Sequence, residues 1–289
     1  MKTKIISVFT AFAILFVSCT NNNEIDDDLQ QKILSYNKNY KFQNEPSSIA
    51  KINKQKALML ALVDAGAGYS VSGVWAIPVV GVYAGLWISF AASWAASGAN
   101  SQRTSPSIPT KINTLEIENI IRNNSIVNNP YDELGQKHNI ALNDLGTTEI
   151  SMLDTNGKLN FQSESYMINS SFMTTSQSDR ISFINNSINR NNVEKAFVDF
   201  GKITTIEDLN KQISLNSNST TKQKEFVISV SSYLEQNQNS LNSAEITKYI
   251  DGLEDIVIKD STLSSKERQE LLQYLSVLNY SYCFWERQT

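Results

Sequence analysis

Between Asp64 and Arg103 the chain runs for 38 residues without a charged side chain, and that run holds six of the eleven glycines and three of the four tryptophans. A stretch this apolar must leave water, whether in a protein core, in a bilayer or against a partner. Small residues recur every fourth place at Gly81, Gly85, Ser89, Ser93 and Ser97, with a second row through Asp64, Gly68 and Ser72. On a helix this spacing gathers them on one face, where two backbones can approach closely. Pro78 removes one backbone donor and disfavours helical geometry at Ile77, so the pattern predicts two helical arms meeting there. The helix-packing residues expected of this hairpin are Gly68, Gly73, Gly81, Gly85, Ser89 and Ser93. Three readings follow: a tightly packed core hairpin, a membrane-inserting hairpin, or a protein-partner or self-association surface through 65–97.

At the amino terminus, Lys2 and Lys4 precede an apolar run from Ile5 to Val17, closed by Ser18-Cys19. The run is short for a spanning helix and matches the layout of an export signal. Leu15-Phe16-Val17-Ser18-Cys19 resembles a bacterial lipoprotein signal. The resemblance implies removal of residues 1–18, acylation of Cys19 and attachment to a membrane through that lipid. Thr20 to Asp28 is polar and acidic, as expected of a flexible tether, and similar stretches follow the lipidated cysteine in surface-directed lipoproteins of Gram-negative bacteria. The localisation expected is therefore an exported, outer-membrane lipoprotein.

The remaining chain is expected to be mainly α, a small-residue hairpin joined to a multi-helix bundle. Its divisions are a tether and weak helix at 19–45, a helix and charge-free hairpin at 46–100, a Ser/Pro linker at 101–112 and a polar helical domain at 113–289. Helical periodicity is read at 114–122, 131–145, 179–188, 206–213, 222–235, 244–258 and 265–285, with Asn concentrated at the junctions, where its side chain caps and turns. Asp154-Thr155-Asn156-Gly157 is compatible with a short β-hairpin near 150–160 or with an interhelical turn. In the final helix Leu271, Leu272, Leu275, Leu278 and Tyr282 form an apolar stripe, while Glu254, Asp255, Glu267 and Glu270 read as solvated faces.

Chemistry is sparse. The formal charge of −4 and the lack of any Lys/Arg cluster argue against a nucleic-acid partner. With one histidine and two cysteines, multi-histidine and multi-cysteine metal sites are excluded, and no cofactor motif occurs. Cys283, in an aromatic run, reads as a buried small hydrophobe.

The segment Asn129-Pro130-Tyr131-Asp132-Glu133-Leu134-Gly135-Gln136-Lys137-His138-Asn139-Ile140-Ala141-Leu142 is the most specific pattern. It resembles a segment of uncharacterised exported bacterial proteins that also carry a Gly/Ala-rich stretch upstream. That resemblance implies no activity. Asn129 is suited to cap a helix and Asp132 to its positive end; a lone helical histidine is more often packed than catalytic. Asp132, His138 and Asn139 are the candidate site residues. The functional expectation is a non-enzymatic interaction or structural module, with a membrane-inserting effector, whose hairpin resembles the glycine zippers of bacteriocin-like proteins, as the alternative and a hydrolase using His138 as the distant one.

Overall fold

The computed structural model describes residues 29–43, 51–72, 111–146, 165, 169, 176–200, 202–217 and 219–288. The chain is mainly α-helical, a multi-helix bundle with no strand among the described residues. The helices are α1 (Leu29–Asn39), α2 (Lys51–Ser72), α3 (Thr114–Asn124), α4 (Asp132–Gly146), α5 (Gln177–Asn185), α6 (Ser187–Phe200), α7 (Ile206–Ser214), α8 (Thr221–Gln236), α9 (Ser243–Lys259) and α10 (Ser265–Gln288).

Helix starts follow the capping chemistry of their residues. Thr220 and Gln223 form a reciprocal capping box for α8, and Ser264 with Glu267 does the same for α10, through Glu267 N to Ser264 Oγ at 3.2 Å and Ser264 N to Glu267 Oε2 at 2.9 Å. Asn113, Thr205 and Asn242 cap α3, α7 and α9. Each cap satisfies an amide that the first turn leaves without a partner.

Helix α10 is the axis of the bundle. It packs most extensively on α2, then on α4 and α9, with α3 at its side. The expected one-sided stripe is therefore too narrow: all residues from Glu270 to Trp285 except Gln273 are buried. A helix flanked on several sides buries polar positions as well as apolar ones, and Ser276, Asn279 and Ser281 are buried with the leucines. Two of the supposedly solvated acids are corrected for the same reason. Glu254 and Glu270 are buried, the latter accepting from Gln223 Nε2 at 2.6 Å.

The weak helix expected within 19–45 is a firmly docked one. Leu29 and Ile33 of α1 are buried, and Tyr36, Tyr40 and Phe42 gather with Tyr233 around Tyr249, at ring-centroid distances of 5.2–5.6 Å from it. Tyr249 donates its hydroxyl to Asn37 Oδ1 at 2.8 Å, and Tyr36 donates to the Tyr249 carbonyl at 3.0 Å. The acidic stretch before Leu29 lies outside the described residues, as do Cys19, the linker over 101–110 and the possible hairpin near 150–160.

The periodicity reading at 179–188 runs across a break. Helix α5 stops at Asn185, and α6 begins at Ser187, so Asn186 joins two helices. The charge-free run is answered only at its start. Ala65, Ala67 and Tyr69 on α2 are buried in the core, Gly68 is half-buried, and the close approach falls at Gly66, where a Cβ would lie 3.0 Å from Leu209 Cδ1. Gly73, Gly81, Gly85, Ser89 and Ser93 lie outside the described residues.

Replacing Tyr249 by Phe keeps the aromatic cluster but leaves buried Asn37 without its donor. The expected loss is about 1–3 kcal/mol, read as a lower urea midpoint at unchanged slope.

Candidate functional site

Two of the three sequence-predicted residues come together, and the partner that organises them was not among the candidates. Helical spacing sets Asp132, Gly135, His138, Asn139 and Leu142 along one side of α4. That side meets α10 and α2.

Gly135 permits the contact. Its amide donates to Ser276 Oγ at 3.1 Å, and a Cβ there would lie 2.5 Å from Tyr280 Cδ2 and 2.7 Å from the Ser276 carbonyl oxygen. One turn later Asn139 donates through Nδ2 to the Tyr280 carbonyl at 2.8 Å. This fixes the amide so that its Oδ1 faces His138 Nδ1 at 3.4 Å. The matching tautomer has a hydrogen on Nδ1, an assignment made from the network.

The other edge of the ring faces Asp64. His138 Nε2 lies 3.7 Å from Asp64 Oδ2, within ion-pair range but beyond hydrogen-bond range, and both side chains are completely buried. Asp64 Oδ2 also accepts from Ser281 Oγ and, at 2.8 Å, from Trp285 Nε1. One carboxylate thus ties α2 to α4 and twice to α10. Asp64 carried a signal in the sequence: it is the last charge before the charge-free run, and an acid in such surroundings needs donors. Ser281 and Trp285 carried none, since each reads as an ordinary helix residue.

The three groups are not in the order of a nucleophilic triad. There the histidine sits between serine and carboxylate and takes the serine proton. Here the carboxylate sits between, and the Ser281 hydroxyl is committed to it. The arrangement holds helices together. Cys283 lies nearby in the chain, fully buried, its thiol pushed up to about 11 by burial, which suits packing and not attack.

Asp132 belongs to a different group at the start of α4. The turn before it is built by Asp251 of α9, whose Oδ1 accepts from Ser125 Oγ at 2.6 Å, Ile126 N at 2.7 Å and Val127 N at 2.6 Å. Asn129 Oδ1 accepts from Tyr131 N at 2.9 Å, as a cap would. Its Nδ2 donates to Glu254 Oε1 at 2.8 Å and to the Leu272 carbonyl at 2.9 Å. Burial pushes the Glu254 carboxyl up to about 8, with Asp132 and Asp251 adding to the rise and the Asn129 hydrogen bond opposing it. Burial, then the Asp251 charge, pushes Asp132 up to about 6. Among the described residues no group of three His, Cys, Asp or Glu side chains is arranged to hold a metal ion.

An open groove of about 450 Å³ lies elsewhere, lined by Lys56, Met59 and Leu60 of α2, Ile203, Ile206 and Glu235 among others. It contains none of Asp132, His138 or Asn139. No family model, curated protein or solved structure matches the chain.

Asp64→Ala strands the Trp285 and Ser281 donors and the histidine in a dry interior, and should cost about 3–5 kcal/mol of unfolding free energy. Gly135→Ala should cost about 1–3 kcal/mol by overpacking against Tyr280. Chemical denaturation measures both, and a Gly135→Ala midpoint equal to the wild type would show that α4 does not sit this close to α10.

Proposed function

We propose that the chain is an exported lipoprotein, anchored in the outer membrane of a bacterial envelope through acylated Cys19, whose helical body serves as a non-enzymatic interaction module. The observation that carries this reading is the sequence Met1 to Cys19: two lysines, an apolar run too short to span, and a small residue before the cysteine. An acidic chain, at −4 overall with the leader's two lysines included, gains nothing from anionic head groups. The lipid must therefore provide the attachment.

The body lends support of a different kind. Asn129, Gly135 and Asn139 of the Asn-Pro-x-Asp segment bond α10, and His138 sets its ring edge 3.7 Å from Asp64 of α2. Such a pattern serves a rigid scaffold.

A membrane-inserting effector is the second reading. The uncharged sequence continues for 30 residues past α2 before Arg103, and the part of the run that α2 contains packs in the core. No helix among the described residues is long and apolar enough to cross a membrane. The same run is the candidate surface for a protein partner or a second copy.

Cys19→Ser should abolish incorporation of a clickable palmitate analogue and move the protein from the membrane to the soluble fraction on cell fractionation. Label retained by the variant would reject Cys19 as the anchor. Leakage of dye-loaded liposomes at micromolar acyl-free protein would favour the membrane-inserting reading over the module.

A further inference from the structure

The start of α4 brings three carboxylates together with no cation among them. Asp132 approaches from α4, Asp251 and Glu254 from successive turns of α9, and the connection from Ser125 to Asn129 is strung between Asp251 and Glu254 by side-chain hydrogen bonds. Each neighbouring element adds another acid or a neutral group. The Asp251 charge acts on Tyr36 of α1, and the Asp132 and Glu118 charges act on Tyr280 of α10. Nearby cations are committed elsewhere: Lys137 pairs with Glu133, and Arg268 donates to the carbonyls of Val257 and Asp260. Among the described residues no Lys or Arg forms an ion pair with any of the three acids.

We propose that this carboxylate junction is a pH-operated latch, which holds residues 125–135 against α9 and α10 while Glu254 carries a proton and releases them once Glu254 is ionised. The reading is independent of export and of Cys19. Glu254 is the key group because it is the most enclosed of the three, 3% exposed, and one of its oxygens takes the Asn129 amide that fixes the turn. Neutral, it accepts that hydrogen bond at no electrostatic cost. Charged, it is buried without a cation and repelled by Asp132 and Asp251.

The direction follows from linkage. A carboxyl raised in the closed form binds a proton that the opened, hydrated form gives up. Closure is therefore fully favoured below the ordinary glutamate value of 4.5 and weakens as pH climbs, until Glu254 is ionised above about 8. Asp132 adds a weaker contribution in the same direction between 3.8 and about 6. Within the Glu254 window the closing equilibrium falls by up to about tenfold per pH unit. Opening at this end frees Asn129 and Gly135 from α10 before it reaches His138 and Asn139 in the Asp64 cluster.

Amide hydrogen exchange on the full-length chain, followed at pH 6 and pH 9 and corrected for the intrinsic rate, tests the latch. Protection over residues 125–135 should fall by about tenfold or more relative to α8. In Glu254→Gln, which keeps a carbonyl oxygen for Asn129 and has no charge, that protection should persist at pH 9. Equal loss in wild type and variant, or a loss shared uniformly with α8, would overturn the proposal. Asp132→Asn supplies an independent check: removing one repelling charge brings the Glu254 value in the closed form down, so the loss between pH 6 and pH 9 should shrink, and an unchanged loss would also overturn it.

Discussion

The bundle depends on a single buried carboxylate. Asp64 sits in the most apolar helix of the described chain, and the desolvation of its carboxyl is offset in part by donors from two side chains on α10, Ser281 and Trp285, both to Oδ2, with the His138 ring edge of α4 at 3.7 Å. Because these partners come from separate helices, the contacts form together only when α2, α4 and α10 are in register. Apolar burial alone tolerates sliding by a turn; a carboxylate that must meet Trp285 Nε1 and His138 together does not. The rest of the architecture then follows, with α10 as axis, α9 and α3 on its open flanks, and the aromatic cluster around Tyr249 sealing α1 onto α8 and α9.

Local rules made the helices legible and left their burial largely unread. Capping residues and apolar spacing place α3, α4, α7, α8, α9 and α10 close to their observed bounds, because Asn113, Thr205, Thr220, Asn242 and Ser264 act within a few residues of where they stand. Burial is a tertiary property. Glu254 and Glu270 have the spacing of a solvated face, and only the position of α10 and of the 125–132 turn encloses them. The joint at Asn186 escaped for a similar reason: a single residue between two helical patterns leaves the period nearly continuous.

The site was half legible. The Asn-Pro-x-Asp-x-x-Gly-x-x-His-Asn segment was recognisable as a unit, and its residues do act in concert, but as a docking edge. Gly135 explains why the spacing is strict: only a residue without a side chain lets Tyr280 and the Ser276 carbonyl come so close. Asn129 and Asn139 then bond backbone carbonyls of α10 on either side of that contact. His138 faces away from α10's backbone, toward α2, so the same edge reaches two helices. A reading that looked for an acid and a base side by side grouped Asp132 with His138, although the turns between them carry the two into separate environments.

These environments differ in a way that orders their strength. The Asp64 carboxyl is enclosed with the Ser281 and Trp285 donors and the edge of the His138 ring. The Glu254 acid is enclosed with one donor and two further acids, and its neutral form is preferred. Both lie on the same face of α4's contacts, one at its first turn and one near its middle. Charging Glu254 as the pH rises loosens the second set, so α4 comes away from its amino-terminal end first if it comes away at all. The Asp64 cluster then acts as the hinge that confines opening to the turn and the first part of α4 and keeps the bundle from unfolding as a whole.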